Sequence, residues 1–180
     1  MNILVCIKQV PDTTEIKIDP VKHTLIREGV PSIVNPFDAC ALEMAVRLKE
    51  KEGGKVIVIS MGPAQAKNAL KECLAVGADQ AFLVTDRAFG GSDTLATSYI
   101  LSRAIAAVEA KTGEKFDLIF CGKQAIDGDT AQVGPEIAEH MDLPHVTLAT
   151  AVEMADGKLH VTRDTDEGHD LVEVSLPALV

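Results

Sequence analysis

Residues 56–77, VIVISMGPAQAKNALKECLAVG, set the fold class, because they join a strand pattern directly to a helix pattern. VIVIS (56–60) is a short, continuous apolar run, which is typical of a strand buried on both faces. AQAKNALKECLAVG (64–77) is a helix-like stretch that ends on a glycine, a common helix stop. A strand followed at once by a helix is the repeating unit of a parallel sheet.

The same alternation continues in both directions along the chain. Three further apolar runs predict strands: ILVCI (3–7), AFLV (81–84) and LIF (118–120). Further helix-like stretches are PFDACALEMAVRLKE (36–50), DTLATSYILSRAIAAVEAKTG (93–113) and the segment from Asp129 to Met141. We therefore predict an α/β fold in which a parallel sheet carries helices on both faces, formed as a single domain over 1–180.

Two hairpin insertions are predicted outside this alternation. EIKIDP (15–20) and HTLIREG (23–29) alternate apolar and polar residues around a turn, and AVEMADGKLHVTRD (151–164) carries the turn signal Asp156-Gly157. DTDEGHD (164–170) is interpreted as a solvated turn between two strands. The final stretch, LVEVSLPALV (171–180), is predicted to be a strand.

Composition argues against several classes of function. A formal net charge of −10 would repel the backbone of a nucleic acid, and aromatic residues make up only 3% of the chain. No apolar run approaches the ~20 residues that span a bilayer, and MNILVCIKQVPD (1–12) has no basic leader, so we predict a cytoplasmic protein without a membrane span. The four cysteines lack the spacing of a zinc site or a disulfide framework.

Ligands of an open parallel sheet bind in the crevice at the carboxyl ends of its strands. The loops that follow the predicted strands are therefore the candidate binding segments, namely KQVPD (8–12), MGPAQ (61–65), TDRAFGGSDT (85–94) and GKQAIDGDT (122–130).

The stretch IDGDT (126–130) allows three interpretations. Asp127 and Asp129 could begin a hard-cation site, but no third carboxylate follows at the spacing of an EF-hand. A helix beginning near Asp129 could hold a phosphate with its free N–H groups, helped by the hydroxyl of Thr130. Alternatively, Asp129 is only the N-cap of that helix.

FGGSDTLATS (89–98) is a second candidate of the same kind. Ser92 or Asp93 can cap the following helix, while Thr94 and Thr97 place hydroxyls on its first turns. A ligand loop and an ordinary capped helix start both explain this pattern. Neither loop matches GxGxxG or the GK[ST] phosphate loop, and no GxSxG elbow or other catalytic constellation occurs, so no catalytic residue is predicted.

Five stretches together resemble the β subunit of electron transfer flavoproteins, the FixA-like family. They are VCIKQVPD (5–12), VNPFDACALEMAVRLKE (34–50), VISMGPAQA (58–66), CGKQAIDGDTAQVGPEIA (121–138) and VTRDTDEGHDLVEVSLPALV (161–180). Asp170 departs from the family, which usually has Glu or Gln there. The resemblance implies a Rossmann-like α/β fold of the adenine nucleotide α-hydrolase type. It also implies a further C-terminal arm, which we expect to be missing after Val180.

The matching motifs imply a set of nucleotide-binding residues. These are Cys6, Asn35, Phe37, Asp38, Met61, Gly62, Asp93, Thr94, Thr97, Gly122, Lys123, Gln124, Asp127, Thr130, Ala131, Gln132, Val133 and Gly134. Ordinary members of the family hold a structural AMP in this subunit. The stretch GGSDTLATSYIL (90–101) resembles a subgroup that binds FAD instead.

The resemblance to that subgroup implies an electron-bifurcating flavoprotein. Its FAD would accept a hydride from NADH and send one electron to the FAD of an α subunit and on to an acyl-CoA dehydrogenase. The other electron would go to ferredoxin or flavodoxin. The chain would then be a redox carrier subunit in which the flavin supplies the chemistry and no side chain acts as acid or base.

Overall fold

The computed structural model of the chain describes residues 1–12 and 31–180. Its ten strands are β1 (Asn2–Cys6), β2 (Gln9–Pro11), β3 (Ser32–Val34), β4 (Lys55–Met61), β5 (Gln80–Val84), β6 (Leu118–Cys121), β7 (Ala149–Ala155), β8 (Lys158–Thr165), β9 (Gly168–Val174) and β10 (Ala178–Leu179). Its four α-helices are α1 (Pro36–Glu52), α2 (Lys67–Val76), α3 (Thr94–Thr112) and α4 (Val133–Met141).

The centre of the fold is a parallel sheet of five strands in the order β10-β6-β1-β4-β5. Helices cover both faces of this sheet, and because successive side chains of a strand point to opposite faces, each strand contributes to two apolar clusters. Ile3 and Val5 of β1 join the apolar cluster beneath α1, whereas Leu4 joins the cluster with Ile105 of α3 and Ile137 of α4. This two-sided burial explains why the strands are continuous apolar runs, and the predicted α/β class is confirmed.

Local sequence signals explain the helix ends. Pro36 occupies the first turn of α1, where its missing N–H costs nothing, and Asp93 caps α3 by accepting a hydrogen bond from the Ala96 N–H at 2.8 Å. Helix α3 ends at Thr112 and is followed by Gly113, whose φ of 73° lies in the left-handed region that favours glycine. Helices α3 and α4 lie side by side, and the rings of Tyr99 and His140 meet edge to face with centroids 5.7 Å apart.

The second predicted hairpin is confirmed in a separate antiparallel sheet, β7-β8-β9. Asp156 and Gly157 at its turn have φ values of 52° and 77°, which matches the left-handed turn that an Asp-Gly pair favours. The DTDEGHD stretch (164–170) contains the predicted turn from β8 to β9 at residues 166–167, while the ends of the stretch belong to the two strands. The first predicted hairpin, EIKIDP and HTLIREG, lies outside the described residues.

Two predictions about element boundaries are wrong. LVEVSLPALV (171–180) is not one strand: β9 ends at Val174, Pro177 interrupts the chain, and β10 pairs with β6 in the central sheet. In addition, part of the KQVPD loop pairs with residues 32–34 as the short antiparallel ladder β2-β3.

Among residues 1–12 and 31–180, no helix has both the length and the hydrophobicity required to cross a membrane.

Candidate functional site

A cavity of about 1060 Å³ opens at the carboxyl ends of the central strands. Its walls come from the loops after β1, β4, β5 and β6, which are the four candidate binding segments predicted from the strand order. One continuous space therefore joins the GKQAIDGDT segment (122–130) to the FGGSDT segment (89–94).

Most residues of the predicted nucleotide set line this cavity. They are Cys6, Asp38, Met61, Gly62, Asp93, Thr94, Thr97, Gly122, Lys123, Gln124, Thr130, Ala131, Gln132, Val133 and Gly134. Asn35, Phe37 and Asp127 do not line it. The structure thus brings the set together at one place, while ligand contact by these residues stays a prediction.

Asn35 supports the cavity from behind. Its side chain is fully buried, donates from Nδ2 to the Gln124 carbonyl at 2.8 Å and accepts at Oδ1 from the Ile126 N–H at 3.1 Å. The amide therefore satisfies a donor and an acceptor of the loop after β6, which gives that loop a fixed backbone course.

Asp38 is a buried carboxyl group at the junction of three segments. Its Oδ2 accepts from the Lys8 N–H at 2.7 Å, and a Cβ placed on Gly122 would lie only 2.2 Å from Oδ1. Burial raises the pKa of Asp38 to about 6, although hydrogen bonds from Asn35, Lys8 and Gly122 and the charge of Lys8 act in the opposite direction. Glycine at 122 is thus required by the close approach of this carboxyl group.

The two carboxylates of IDGDT are engaged within the protein. Asp127 accepts from the Lys8 ammonium at 2.5 Å, and Asp129 accepts from Nε2 of Gln124 at 2.7 Å. Within residues 1–12 and 31–180, no group of three or more His, Cys, Asp or Glu side chains is placed to hold a metal ion. The observed contacts therefore assign these carboxylates to loop structure.

The predicted helix start at Asp129 is wrong. Helix α4 begins at Val133, because Asp129 and Ala131 both have φ of 53°, a left-handed conformation that a right-handed helix excludes. Asp129 is consequently not the N-cap. That position is held by Gln132, whose side chain makes no capping hydrogen bond.

The uncapped start of α4 provides main-chain donors at the cavity. The first N–H groups of a helix have no partner within the helix, and Val133 and Gly134 are the first two residues of α4. Both line the cavity. A Cβ on Gly134 would lie 3.2 Å from Cβ of Cys121, so glycine also permits close packing of this turn on the sheet. These donors suit an anionic group of a ligand.

The FGGSDT segment approaches the same cavity from the other side. Asp93 caps α3, while Oγ1 of Thr94 donates to Oε1 of Glu136 at 3.0 Å and so joins the starts of α3 and α4. Thr94 and Thr97 line the cavity. Two helix N-termini therefore converge on one space, that of α4 with free N–H groups and that of α3 capped by the Asp93 carboxylate.

Two thiols lie at the floor of the cavity. Cys6 and Cys121 are partners in the β1-β6 register, and the hydrogen bond with Cys6, together with burial, raises the pKa of Cys121 well above its ordinary value. The thiol of Cys121 is consequently a poor nucleophile.

Other lining residues are outside the predicted nucleotide set, although most of them lie within the four candidate binding segments. They are Ile7, Lys8, Gln9, Val10, Pro11, Ser32, Ile59, Pro63, Ala64, Gln65, Ala66, Thr85, Asp86, Arg87, Phe89, Gly90, Gly91, Ser92, Leu101, Cys121, Ala125 and Gly128. Most follow a predicted strand directly, so the rule that ligands bind at strand carboxyl ends was a sufficient signal for them. Ser32 and Leu101 had no such signal, because they reach the cavity through the β2-β3 ladder and through α3.

Comparison with known proteins identifies relatives over the whole chain. The family model described as electron transfer flavoprotein domain matches residues 22–180. A relative from Thermoanaerobacterium thermosaccharolyticum, named electron transfer flavoprotein subunit beta, is 59% identical over 180 residues, which are 100% of this chain and 67% of the relative.

Two further relatives carry different names. Subunit CarD of the caffeyl-CoA reductase-Etf complex from Acetobacterium woodii is 54% identical over 181 residues, covering 100% of this chain and 67% of the relative. Protein FixA from Azotobacter vinelandii is 52% identical over 183 residues, covering 100% of this chain and 64% of the relative.

Proposed function

Because the chain belongs to the electron transfer flavoprotein family, on the side of its β subunits and FixA proteins, we propose that it binds FAD in the cavity at the carboxyl ends of its sheet. The observation that carries this proposal is the continuity of the cavity from residues 122–134 to residues 90–97. An adenine mononucleotide needs only part of a 1060 Å³ space, whereas a dinucleotide can extend across it.

The residues present fit such a dinucleotide. A Cβ at Gly91 or Gly128, which both line the cavity, would meet nothing within 4 Å, so these glycines leave room for a ligand, and the uncapped start of α4 offers main-chain donors to a pyrophosphate. Lys8 and Lys123 add positive charge to a cavity in a protein that is acidic overall. The hydroxyl of Thr97 can donate to a phosphate or ribityl oxygen, whereas that of Thr94 donates to Glu136 and can only accept from the ligand.

We further propose that this site serves electron bifurcation. When bound, FAD would accept a hydride from NADH and pass single electrons to two acceptors of different reduction potential. These acceptors are proposed to be the FAD of an α subunit, leading to an acyl-CoA dehydrogenase, and ferredoxin or flavodoxin. Similarity to a subunit of a caffeyl-CoA reductase-Etf complex supports a partner that acts on CoA thioesters. The chain's own residues bind and orient the flavin, and the walls of the cavity limit its contact with water.

The test is the nucleotide content of the complete αβ heterodimer. We expect denaturation to release two FAD per heterodimer and no AMP, quantified by absorbance and chromatography. One FAD with one AMP would contradict FAD binding in this subunit and would indicate a conventional electron carrier with a structural AMP.

A variant of the second loop sharpens this test. Thr97→Val removes a hydroxyl that lines the cavity on the first turn of α3, whereas Thr97→Ser keeps a hydroxyl as the matched control. If the ligand extends to this loop, the Val variant retains less nucleotide than wild type and the Ser variant retains a near-normal amount. Equal retention in both would place the ligand at residues 122–134 alone.

A further inference from the structure

Asp38 contacts the loops on two sides of the cavity through their main chain. It lies in the first turn of α1, accepts from the Lys8 N–H and approaches Gly122 so closely that only glycine fits there. The side chain is 6% exposed, although it forms part of the cavity lining. The main-chain bond to Lys8 and the contact with Gly122 direct this carboxyl group toward the protein framework.

The two loops held by Asp38 also meet each other. Lys8 reaches from the loop after β1 to Asp127 in the loop after β6, and Asn35 binds the latter loop at Gln124 and Ile126. The hydrogen bond from the Lys8 N–H to Asp38 is weaker when the carboxyl group is protonated, since a hydrogen bond to an ionised group is stronger than one to a neutral group. A change at Asp38 thus alters the frame on which the cavity is built.

We propose that Asp38 is a positioning residue that couples nucleotide affinity to pH: the ionised carboxylate holds the Lys8 and Gly122 loops in the binding geometry, and its protonation releases them. This inference rests on the proposed nucleotide site and names how that site is regulated. It assigns Asp38 no contact with the nucleotide itself.

The surroundings of Asp38 are compatible with this role. The ionisable side chains that interact electrostatically with Asp38 are Lys8 in the loop after β1, Cys121 at the end of β6 and Cys73 in α2. Lys8 is in turn paired with Asp127, and Cys121 with Cys6. Burial raises the pKa of Cys73 to about 11, and the pKa of Cys121 is also raised well above its ordinary value. In contrast, the pKa of Asp38 is about 6.

The experiment is a calorimetric titration of the full chain, freed of nucleotide, with FAD and with AMP between pH 5 and pH 7.5. If binding requires the ionised form of a group with a pKa of about 6, nucleotide affinity falls roughly tenfold as the pH is lowered from 7.5 to 5. We expect this fall for FAD, whose pyrophosphate carries no proton that titrates there. The phosphate of AMP itself titrates in this range, so the contribution of Asp38 to AMP binding is obtained as the difference between the wild-type profile and that of Asp38→Asn.

Asp38→Asn is the informative variant, with Asp79→Asn as its matched control. Asp79 also accepts a main-chain N–H at 2.7 Å, from Val56, but it lies at the opposite end of the sheet. We expect Asp38→Asn to bind about tenfold more weakly than wild type at pH 7.5 and to show a flat FAD profile. Asp79→Asn should keep the wild-type affinity and pH profile.

The outcomes separate this inference from the proposed function. Nucleotide binding at pH 7.5 with a flat wild-type FAD profile would overturn the role of Asp38 and leave the site intact, even if the Asn variant failed to fold. A pH-dependent profile that persists unchanged in Asp38→Asn would also overturn it. Failure of both nucleotides to bind at pH 7.5 would overturn the proposed site and this inference together.

Discussion

The ammonium nitrogen of Lys8 lies 2.5 Å from Oδ1 of Asp127, a residue 119 positions further along the chain. The side chain of Lys8 is 47% exposed, whereas that of Asp127 is 10% exposed. The pair therefore joins two loops at the rim of the cavity while its cationic end remains in contact with solvent. Lys8 also lines the cavity, so its ammonium group can attract an anionic ligand there.

Replacement of Lys8 tests its role in both binding and stability. We expect Lys8→Met to lower the free energy of unfolding by about 1–3 kcal/mol, because it leaves the carboxylate of Asp127, which is only 10% exposed, without its partner. Nucleotide affinity should fall several-fold through loss of the positive charge, as measured by calorimetry. Lys8→Arg keeps the charge and should retain most of the affinity. An unchanged affinity in Lys8→Met would show that this ammonium group does not interact with the ligand.

Removal of the Asn35 amide should destabilise the protein. Asn35→Ala removes a fully buried amide and leaves the Gln124 carbonyl and the Ile126 N–H, whose hydrogen bonds are partly buried, without their partner. We expect a loss of about 1–3 kcal/mol in the free energy of unfolding, since a fully buried unsatisfied group costs about 1–3 kcal/mol and these two groups retain some access to water. Urea denaturation measures this loss. The exposed Asn68 in α2 provides the control, because Asn68→Ala should be neutral or slightly stabilising.

The two glycines of the loop after β6 should differ in their tolerance of alanine. A Cβ at Gly122 would lie 2.2 Å from the Asp38 carboxyl and 2.8 Å from its main-chain nitrogen, whereas a Cβ at Gly128 meets nothing within 4 Å. We expect Gly122→Ala to cost about 1–3 kcal/mol of stability and to weaken nucleotide binding. Gly128→Ala should change stability by less than about 0.5 kcal/mol. Similar thermal midpoints for the two variants would contradict the observed contact.

Asp38 should oppose stability at the pH where it supports binding. Its pKa of about 6 in the folded protein exceeds the ordinary value of 3.8, so its contribution to stability is complete below pH 4 and is lost as the pH rises through 6. The loss amounts to about 3 kcal/mol. Asp38→Asn, which does not ionise, should gain about this much stability relative to wild type between pH 4 and pH 7. Parallel denaturation curves across that range would argue against a raised pKa.

The apolar runs and glycine stops predicted the central sheet and its helices because both faces of that sheet are covered. Strand β4 and helix α2, for example, lie within three residues of their predicted limits. The prediction was less accurate where long-range contacts decide the structure. Helix α4 begins only after the left-handed residues Asp129 and Ala131, and Asp129 is also bound by the side chain of Gln124. No local sequence pattern reveals this late helix start.

The same distinction applies to the candidate site. The rule of strand carboxyl ends located the cavity, and family motifs selected many of its lining residues. Neither could distinguish residues that face the cavity from those that support it. Asn35 and Asp127 belong to the motifs, yet their hydrogen bonds join them to other parts of the protein, and this difference requires knowledge of three-dimensional contacts.

Tyr99, whose ring meets that of His140 edge to face, can serve as an optical probe of the cavity. The chain contains one tyrosine and no tryptophan, so its ultraviolet emission arises from Tyr99, on the helix whose first turn borders the cavity. A bound flavin would accept excitation energy from that ring, and the quenching would report occupancy without any label. The single tyrosine also makes absorbance at 280 nm a poor measure of protein concentration once flavin is present, so stoichiometry requires amino-acid analysis.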